Sequence, residues 1–347
     1  MEIIGFDLHK RESQLCRRHP DGRISDERIP TTRARLTATF GGLAPARILL
    51  EASTESEWVA AYLEQLGHTV IVADPNFAPM YATRTRRLKT DKRDAHALME
   101  ACTVGAYHPA YRLSAARRHL RAELIVRDAL VRHRTRTVAV VRTLVRRDGL
   151  RIPSGASATF GARVGALDLA TQAPTLGAEL APLLALLPAL TTAIAAADAR
   201  LAALAAADAV IRLLATAPSV GLVTAAGVVA VLDDITRFPS AHAVEAYLGL
   251  VPREYSSAEH QRRGGITKAG NSRARWLLVE AGWRLLRSRA PEAAALRAWG
   301  RGIAARRGSR IAAVALARRL AGILYAMWRD ERAYDATRLG RPRSRRA

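Results

Sequence analysis

Residues 1–8, MEIIGFDL, read as a β-strand that ends in an acidic residue, Asp7. Ser13–Arg18 and Arg23–Pro30 follow as two further strands separated by polar turns, which makes a meander. Thr31–Phe40 has helical character, and Ala46–Glu51 (ARILLE) is a buried strand that again closes on a carboxylate. Glu55–Leu66 is an amphipathic helix, and His68–Ala73 (HTVIVA) is the fifth strand.

Strands, helix, strand, helix, strand in that order is the ribonuclease-H-like arrangement, in which the first strand lies centrally and acids gather at strand ends. It predicts an α/β N-terminal domain with Asp7 and Glu51 side by side at the ends of neighbouring strands. Lys89–Ala95 (KTDKRDA) then opens a helix, and the three-residue spacing of Asp91 and Asp94 puts both on one face. Four converging carboxylates repel unless a divalent cation neutralises them, and oxygen donors of this kind suit magnesium. Taken singly, each acid has an ordinary reading: Asp7 as a turn former, Glu51 as a strand-end charge, Asp91 and Asp94 as helix N-terminal charges favoured by the dipole.

Lys+Arg 54 against Asp+Glu 31 gives a net charge of +23, an excess that implies a polyanionic partner, nucleic acid before membrane surface. Cys16 and Cys102 are too few and too unpatterned for a disulfide framework or a zinc site, which fits a reducing cytosol. The N-terminus lacks a signal pattern. Leu180–Ala197 is uncharged and long enough for a membrane span, but Pro182, Pro188, Thr191 and Thr192 interrupt it, so no membrane association is expected. Localisation is expected to be cytoplasmic, with the nucleoid when bound to DNA.

The middle of the chain reads as helical. Ser114–Asp148 carries Leu124, Val131, Val138 and Val145 at seven-residue spacing amid arginines, one long helix with a single apolar seam. Gly149–Gly177, with Pro153 and Pro174, breaks it. A second seam runs through Leu190, Ile194, Ala197, Leu201, Leu204 and Ile211, and the two helices are expected to pair as a coiled-coil-like hairpin or by bundle packing. Ala217–Leu232 is similar to a helix-hairpin-helix element in which Ser219 stands where a glycine is common. Asn271–Arg289 and Ile311–Trp328 are further helices, with Trp276 and Trp283 expected in the core. Arg338–Arg346 is a basic tail.

Leu248–Asn271, LGLVPREYSSAEHQRRGGITKAGN, gathers basic residues and glycines between apolar segments. It reads as a loop in which Gly264 and Gly265 admit a ligand close to the backbone, and Arg262, Arg263 and Lys268 supply charge for phosphate oxygens. Ser256 and Ser257 are hydroxyl nucleophile candidates, although turn-forming or capping serines are the ordinary alternative.

The run GLVP, a serine, a basic segment and GGITK-x-GN resembles the C-terminal domain of insertion-sequence one-ten family transposases. APSVGLVT (217–224) and DDITRFPSAHAVEAY (233–247) extend the match, as do GFDLHK, LLEAS and KTDKRDA toward the N-terminus. The chain departs from the pattern at Ala258, where the family's serine is followed by glycine. The resemblance implies a RuvC-like DEDD domain over 1–110, a helical coiled-coil region over 111–208, a mainly helical serine transposase domain over 209–330, and a tail over 331–347. It further implies that Asp7, Glu51, Asp91 and Asp94 hold Mg2+ and that Ser257 attacks DNA to form a covalent phosphoserine. Arg253, Arg262, Arg263, Lys268, Asn271 and Arg273 would contact nucleic acid. The implied partners are donor and target DNA, a structured noncoding guide RNA, and further copies of the chain in a dimer or tetramer. The competing readings are a hydrolytic Holliday-junction-resolvase-like nuclease using the four acids alone, and a non-catalytic nucleic-acid-binding protein. A sugar-kinase-like ATPase fails for want of a glycine-rich phosphate loop after Asp7.

Overall fold

A computed structural model of the chain describes residues 1–81, 90–257 and 260–337, with the backbone alone described over 255–257 and 260–263. Lys89, Ala258 and the basic tail from Arg338 onward lie outside the described residues. The chain divides into two compact units, Met1–Arg112 and Leu113–Ala347.

The first unit is built on a five-stranded sheet. β1 (Ile3–Asp7), β2 (Glu12–Arg18) and β3 (Ile24–Pro30) form the expected antiparallel meander. After α1 (Arg33–Phe40), β4 (Arg47–Glu51) pairs parallel with β1, and after α2 (Ser56–Gln65), β5 (Thr69–Ala73) pairs parallel with β4. The resulting order, β3-β2-β1-β4-β5, puts β1 in the middle. Its residues Ile4 and Phe6 are fully buried on the α1–α2 side with Leu36, Phe40, Val59 and Leu63.

The opposite face carries α3 (Asp91–Val104), whose first turn is fixed by Thr90, its side chain accepting a hydrogen bond from the Arg93 amide. Gly5 is the reason α3 can lie so close. A Cβ there would sit 2.1 Å from the carbonyl oxygen of Ala95 and 2.3 Å from the amide nitrogen of Met99, so helix backbone rests directly on the central strand. Gly5→Ala is expected to lever α3 away and lower stability by about 1–3 kcal/mol or more, since backbone rather than a flexible side chain must yield. Thermal unfolding measures this; an unchanged midpoint would mean that α3 shifts freely.

The second unit is helical. α4 (Ala115–Arg147) begins at Ser114, whose side chain accepts from the Arg117 amide, and runs unbroken for 33 residues. Two short helices, α5 (Phe160–Gly165) and α6 (Leu169–Gln172), occupy the expected break, but α7 (Pro174–Ala207) starts earlier than glycine and proline content suggests. Pro174 opens it, where a missing N–H costs nothing, and the interior Pro182 and Pro188 lie exposed, leaving the carbonyls they cannot satisfy near solvent. α4 and α7 pack together through Val141, Val145, Leu176, Leu180 and Leu187 at one end. α7 and α13 (Ser309–Arg329) are each long and apolar enough to cross a membrane. α7 lies along α4, and α13 is instead a central core helix.

α8 (Ala209–Leu214) and α9 (Leu222–Leu232) flank a tight turn in which Ser219 adopts φ +64°, the left-handed conformation that glycine takes without strain. After α10 (Ala241–Tyr247), the expected loop is a two-stranded antiparallel hairpin, β6 (Pro252–Ser257) and β7 (His260–Ile266). Charged and small residues gave it no strand-like alternation; cross-strand pairing formed it instead. α11 (Ser272–Arg287) and α12 (Ala294–Arg307) complete the unit around α13. Neither tryptophan of α11 is buried in the core as expected. Its inner face is Ala274, Leu277, Leu278, Ala281 and Leu285, which leaves Trp283 half-buried and Trp276 48% exposed.

Candidate active site

Because β1 and β4 run parallel in register, with Phe6 beside Leu50, their final residues Asp7 and Glu51 emerge together at one edge of the sheet. The close seating of α3 on Gly5 brings its first turn over the same edge. Asp94 is buried and Asp91 is exposed. Two residues that spacing did not single out join them. His9 places its Nε2 3.2 Å from Asp7 Oδ2 and 3.7 Å from Asp91 Oδ1, and Tyr81 donates its hydroxyl to Glu51 Oε1. His9 lies inside the GFDLHK segment and could have been suspected from its place just beyond the strand end; nothing in the sequence points to Tyr81.

The electrostatics are those of a crowded anionic pocket. Burial pushes the Asp7 carboxyl up to about 6; His9 opposes this, and Asp94, Glu51 and Asp91 reinforce it. Asp7 Oδ2 is buried and accepts no hydrogen bond, its one contact being the ion pair with His9 Nε2 at 3.2 Å. A buried, unsatisfied carboxylate oxygen among further acids is costly in a metal-free protein and is satisfied by a hard cation. Asp7, His9 and Asp91 offer donor atoms close enough together to share one ion. The donor set therefore fits a divalent metal with a preference for oxygen.

A second cluster, Cys16 with Asp26 and His96, lies on β2, β3 and α3. There His96 and Lys92 already hold Asp26 at 2.7 and 2.9 Å, and burial pushes the Cys16 thiol up to about 12, so it forms a neutral, packed group.

In the second unit, Ser257 is the last residue of β6. In the hairpin register it pairs with His260, while Ser256 pairs with Gln261 and Glu254 with Arg263. The base of the hairpin is locked by backbone. Thr267 N–H donates to Val251 O and Lys268 N–H to Gly249 O, and Arg275 Nη1 donates to the carbonyls of both Leu248 and Ala269. Two glycines make this possible. Gly249 (φ +68°) and Gly270 (φ +66°) would each drive a Cβ into a backbone oxygen, at 2.3 Å from Ala269 and 2.0 Å from Tyr247. Gly264 and Gly265, which the sequence singles out, have ordinary φ and no such crowding.

The basic candidates have varied surroundings. Arg253 is exposed and reaches the Thr267 carbonyl at 3.4 Å. Asn271 caps α11, its Oδ1 accepting from the Ala274 amide at 2.9 Å. Arg273 pairs with Asp128 of α4 at 2.5 Å and lies over the Trp276 ring. Lys268 occupies the left-handed turn at φ +57°. The side chains of Ser256, Ser257, Arg262 and Arg263 lie outside the described residues.

The chain is similar to known transposases over nearly its whole length. A family model described as "Transposase IS116/IS110/IS902 family" matches residues 211–297, and a DEDD-type model described as "Transposase" matches residues 4–147. A "Probable family 20 transposase" of Pseudomonas aeruginosa is 32% identical over 340 residues, covering 96% of this chain and 95% of that protein. The chain belongs to the IS116/IS110/IS902 transposase family. The transposase for insertion sequence element IS1111A of Coxiella burnetii is 28% identical, with 96% of this chain and 91% of that protein covered. A putative transposase of Sinorhizobium fredii is 30% identical across 95% and 85%. This insertion-sequence transposase thus carries the DEDD-type domain over the unit that presents Asp7, Glu51, Asp91 and Asp94, and its substrate is DNA.

Proposed function

We propose that this transposase cuts and rejoins DNA through a covalent phosphoserine on Ser257, assisted by Mg2+ held by Asp7, Glu51, Asp91 and Asp94. Residues 1–110 act as the RuvC-like domain, 111–208 as the coiled-coil region and 209–330 as the serine domain. The reading is carried by one observation: β1, β4 and α3 deliver carboxylates to a single sheet edge, where an Asp7 oxygen is buried without a hydrogen bond.

In the chemical step, the Ser257 oxygen forms a bond to phosphorus as the bridging ester oxygen departs, and the serine proton ends on that departing oxygen. Rejoining reverses the exchange on a new strand end, so bond energy is conserved. Held by Asp7, Glu51, Asp91 and Asp94, Mg2+ would supply positive charge to offset the charge that develops on the phosphate oxygens. His9 orients the Asp7 and Asp91 carboxylates from between them, and Tyr81 fixes one Glu51 oxygen and so its orientation.

A structured RNA from the element's own end selects donor and target by base pairing, leaving the protein to read backbone and shape. The net charge of +23 suits such a double polyanion load. Joining two duplexes requires several cutting subunits, a dimer or tetramer. A plasmid recombination assay in magnesium tests the reading, run with and without the transcript of the element's noncoding flank. Recombination with the transcript alone is expected. Recombination without it would remove the guide, and cleavage without joining would favour the hydrolytic nuclease.

A further inference from the structure

A groove in the second unit, about 960 Å3, runs between α4, the start of α9 and α11. It is strongly basic. Arg127, Arg132, Arg136, Arg273 and Arg284 line it, and the single acid in its lining is Asp128. Five cations against one carboxylate leave a surplus of four. Asp128 is buried and already shared by Arg132 at 2.6 Å and Arg273 at 2.5 Å, while Arg127 pairs with Asp198. Arg136 and Arg284 are exposed and have no ion pair among the described residues.

The same groove holds Trp276, 48% exposed. The indole is held in place by the Arg273 guanidinium, 4.2 Å from its ring centroid, and Arg273 is itself tied to Asp128. A large exposed aromatic packed against a guanidinium, in a cleft with spare cations, is the arrangement of a base-stacking platform beside phosphate contacts. At one end the groove is lined by Gly221, the N-cap of α9, which offers no side-chain cap, and by Leu222 and Val223 of the first turn.

We propose that this groove binds an unpaired nucleic-acid strand, Arg136 and Arg284 taking phosphates and Trp276 stacking a base. A duplex does not fit this chemistry, because its bases are already stacked on one another. A cleft of this volume is also of ordinary ligand-site size and admits a few nucleotides of one strand. Its lining includes neither Ser257 nor any of the four carboxylates, and the proposal does not depend on the phosphoserine reading. DNA and RNA share the chemistry, so both are probes.

The test is equilibrium binding of fluorescein-labelled single-stranded DNA, single-stranded RNA of the same sequence, and the matching duplex, to the full chain in EDTA across a salt series. Trp276→Ala should weaken single-strand binding about tenfold while leaving duplex binding and the salt slope unchanged, and Trp276→Phe should retain most of the affinity. The Arg136→Ala/Arg284→Ala double variant should lower the slope of log affinity against log salt by roughly 1.4 for single strands, as two lost phosphate contacts require. Indole emission should be quenched on binding by wild type and less so by Trp276→Phe. The tighter of DNA and RNA identifies the strand that occupies the groove. Unchanged single-strand affinity in both the Trp276→Ala and the double-arginine proteins, with native circular dichroism, would overturn the proposal. So would an equal loss for duplex and single strand in Trp276→Ala. Because no metal or cleavage is involved, these outcomes stand whether or not Ser257 is the nucleophile.

Discussion

Ser257→Ala is expected to eliminate covalent protein–DNA adducts and to reduce recombination by at least about 10³-fold, the scale on which removal of an enzyme's nucleophile acts. Ser257 closes β6 in register with His260, so alanine there preserves the backbone pairing that forms the hairpin. Folding and metal binding should be unchanged, because the base of the hairpin is held by Gly249, Gly270 and Arg275 and not by the serine. Ser256→Ala should be milder. Ala258→Gly should leave activity equal or higher if the chain needs positive φ beyond the serine. Denaturing electrophoresis with labelled donor and target DNA and the flanking transcript reads the adduct directly. An adduct that survives Ser257→Ala but not Ser256→Ala would move the nucleophile by one residue; recombination that survives both would end the serine mechanism.

Asp7→Asn should be as damaging to cleavage, by about 10³-fold or more, and yet make the metal-free protein more stable. An unfolded Asp7 titrates at 3.8 and the folded one near 6. The folded state therefore holds this proton more tightly, and its contribution is complete below pH 3.8 and lost as pH rises through 6. Above that window the buried charge destabilises the chelated fold by an amount on the order of 2–3 kcal/mol. Asparagine carries no such charge. Calorimetry in EDTA should give Asp7→Asn the higher midpoint at pH 8, with the two proteins converging near pH 4. Magnesium should then raise the wild type alone. Asp94→Asn should share the loss of cleavage, since Asp94 is buried at the same sheet edge. Cleavage at the wild-type rate by either variant would remove the carboxylates from the reaction.

These expectations draw unequally on sequence and structure. The strand order and the strand-end acids were legible because β1 and β4 are short apolar runs that each stop on a carboxylate, and α3 starts with Thr90 as its cap. Local pattern misjudged the hairpin, since β6 and β7 lack apolar alternation and are held by each other and by the backbone at their base. It also misplaced Trp276, because seven-residue spacing fixes which side of a helix two tryptophans share but not where the core ends.

What the sequence determined by itself is the order of elements and the family: periodicity and strand-end chemistry act over a few residues, and the motifs from GFDLHK to GGITKAGN recur in order along the chain. Only the tertiary structure decided the rest. Gly5 matters because the backbone of α3, some ninety residues later, lies against it; His9 and Tyr81 matter because folding carries them to Asp7, Asp91 and Glu51. Arg275 clamps two carbonyls that the hairpin brings together, and Asp128 is buried in α4 because Arg273 of α11 neutralises it. Each of these is a contact between residues distant in the chain, and packing in three dimensions, not local propensity, sets which of them meet.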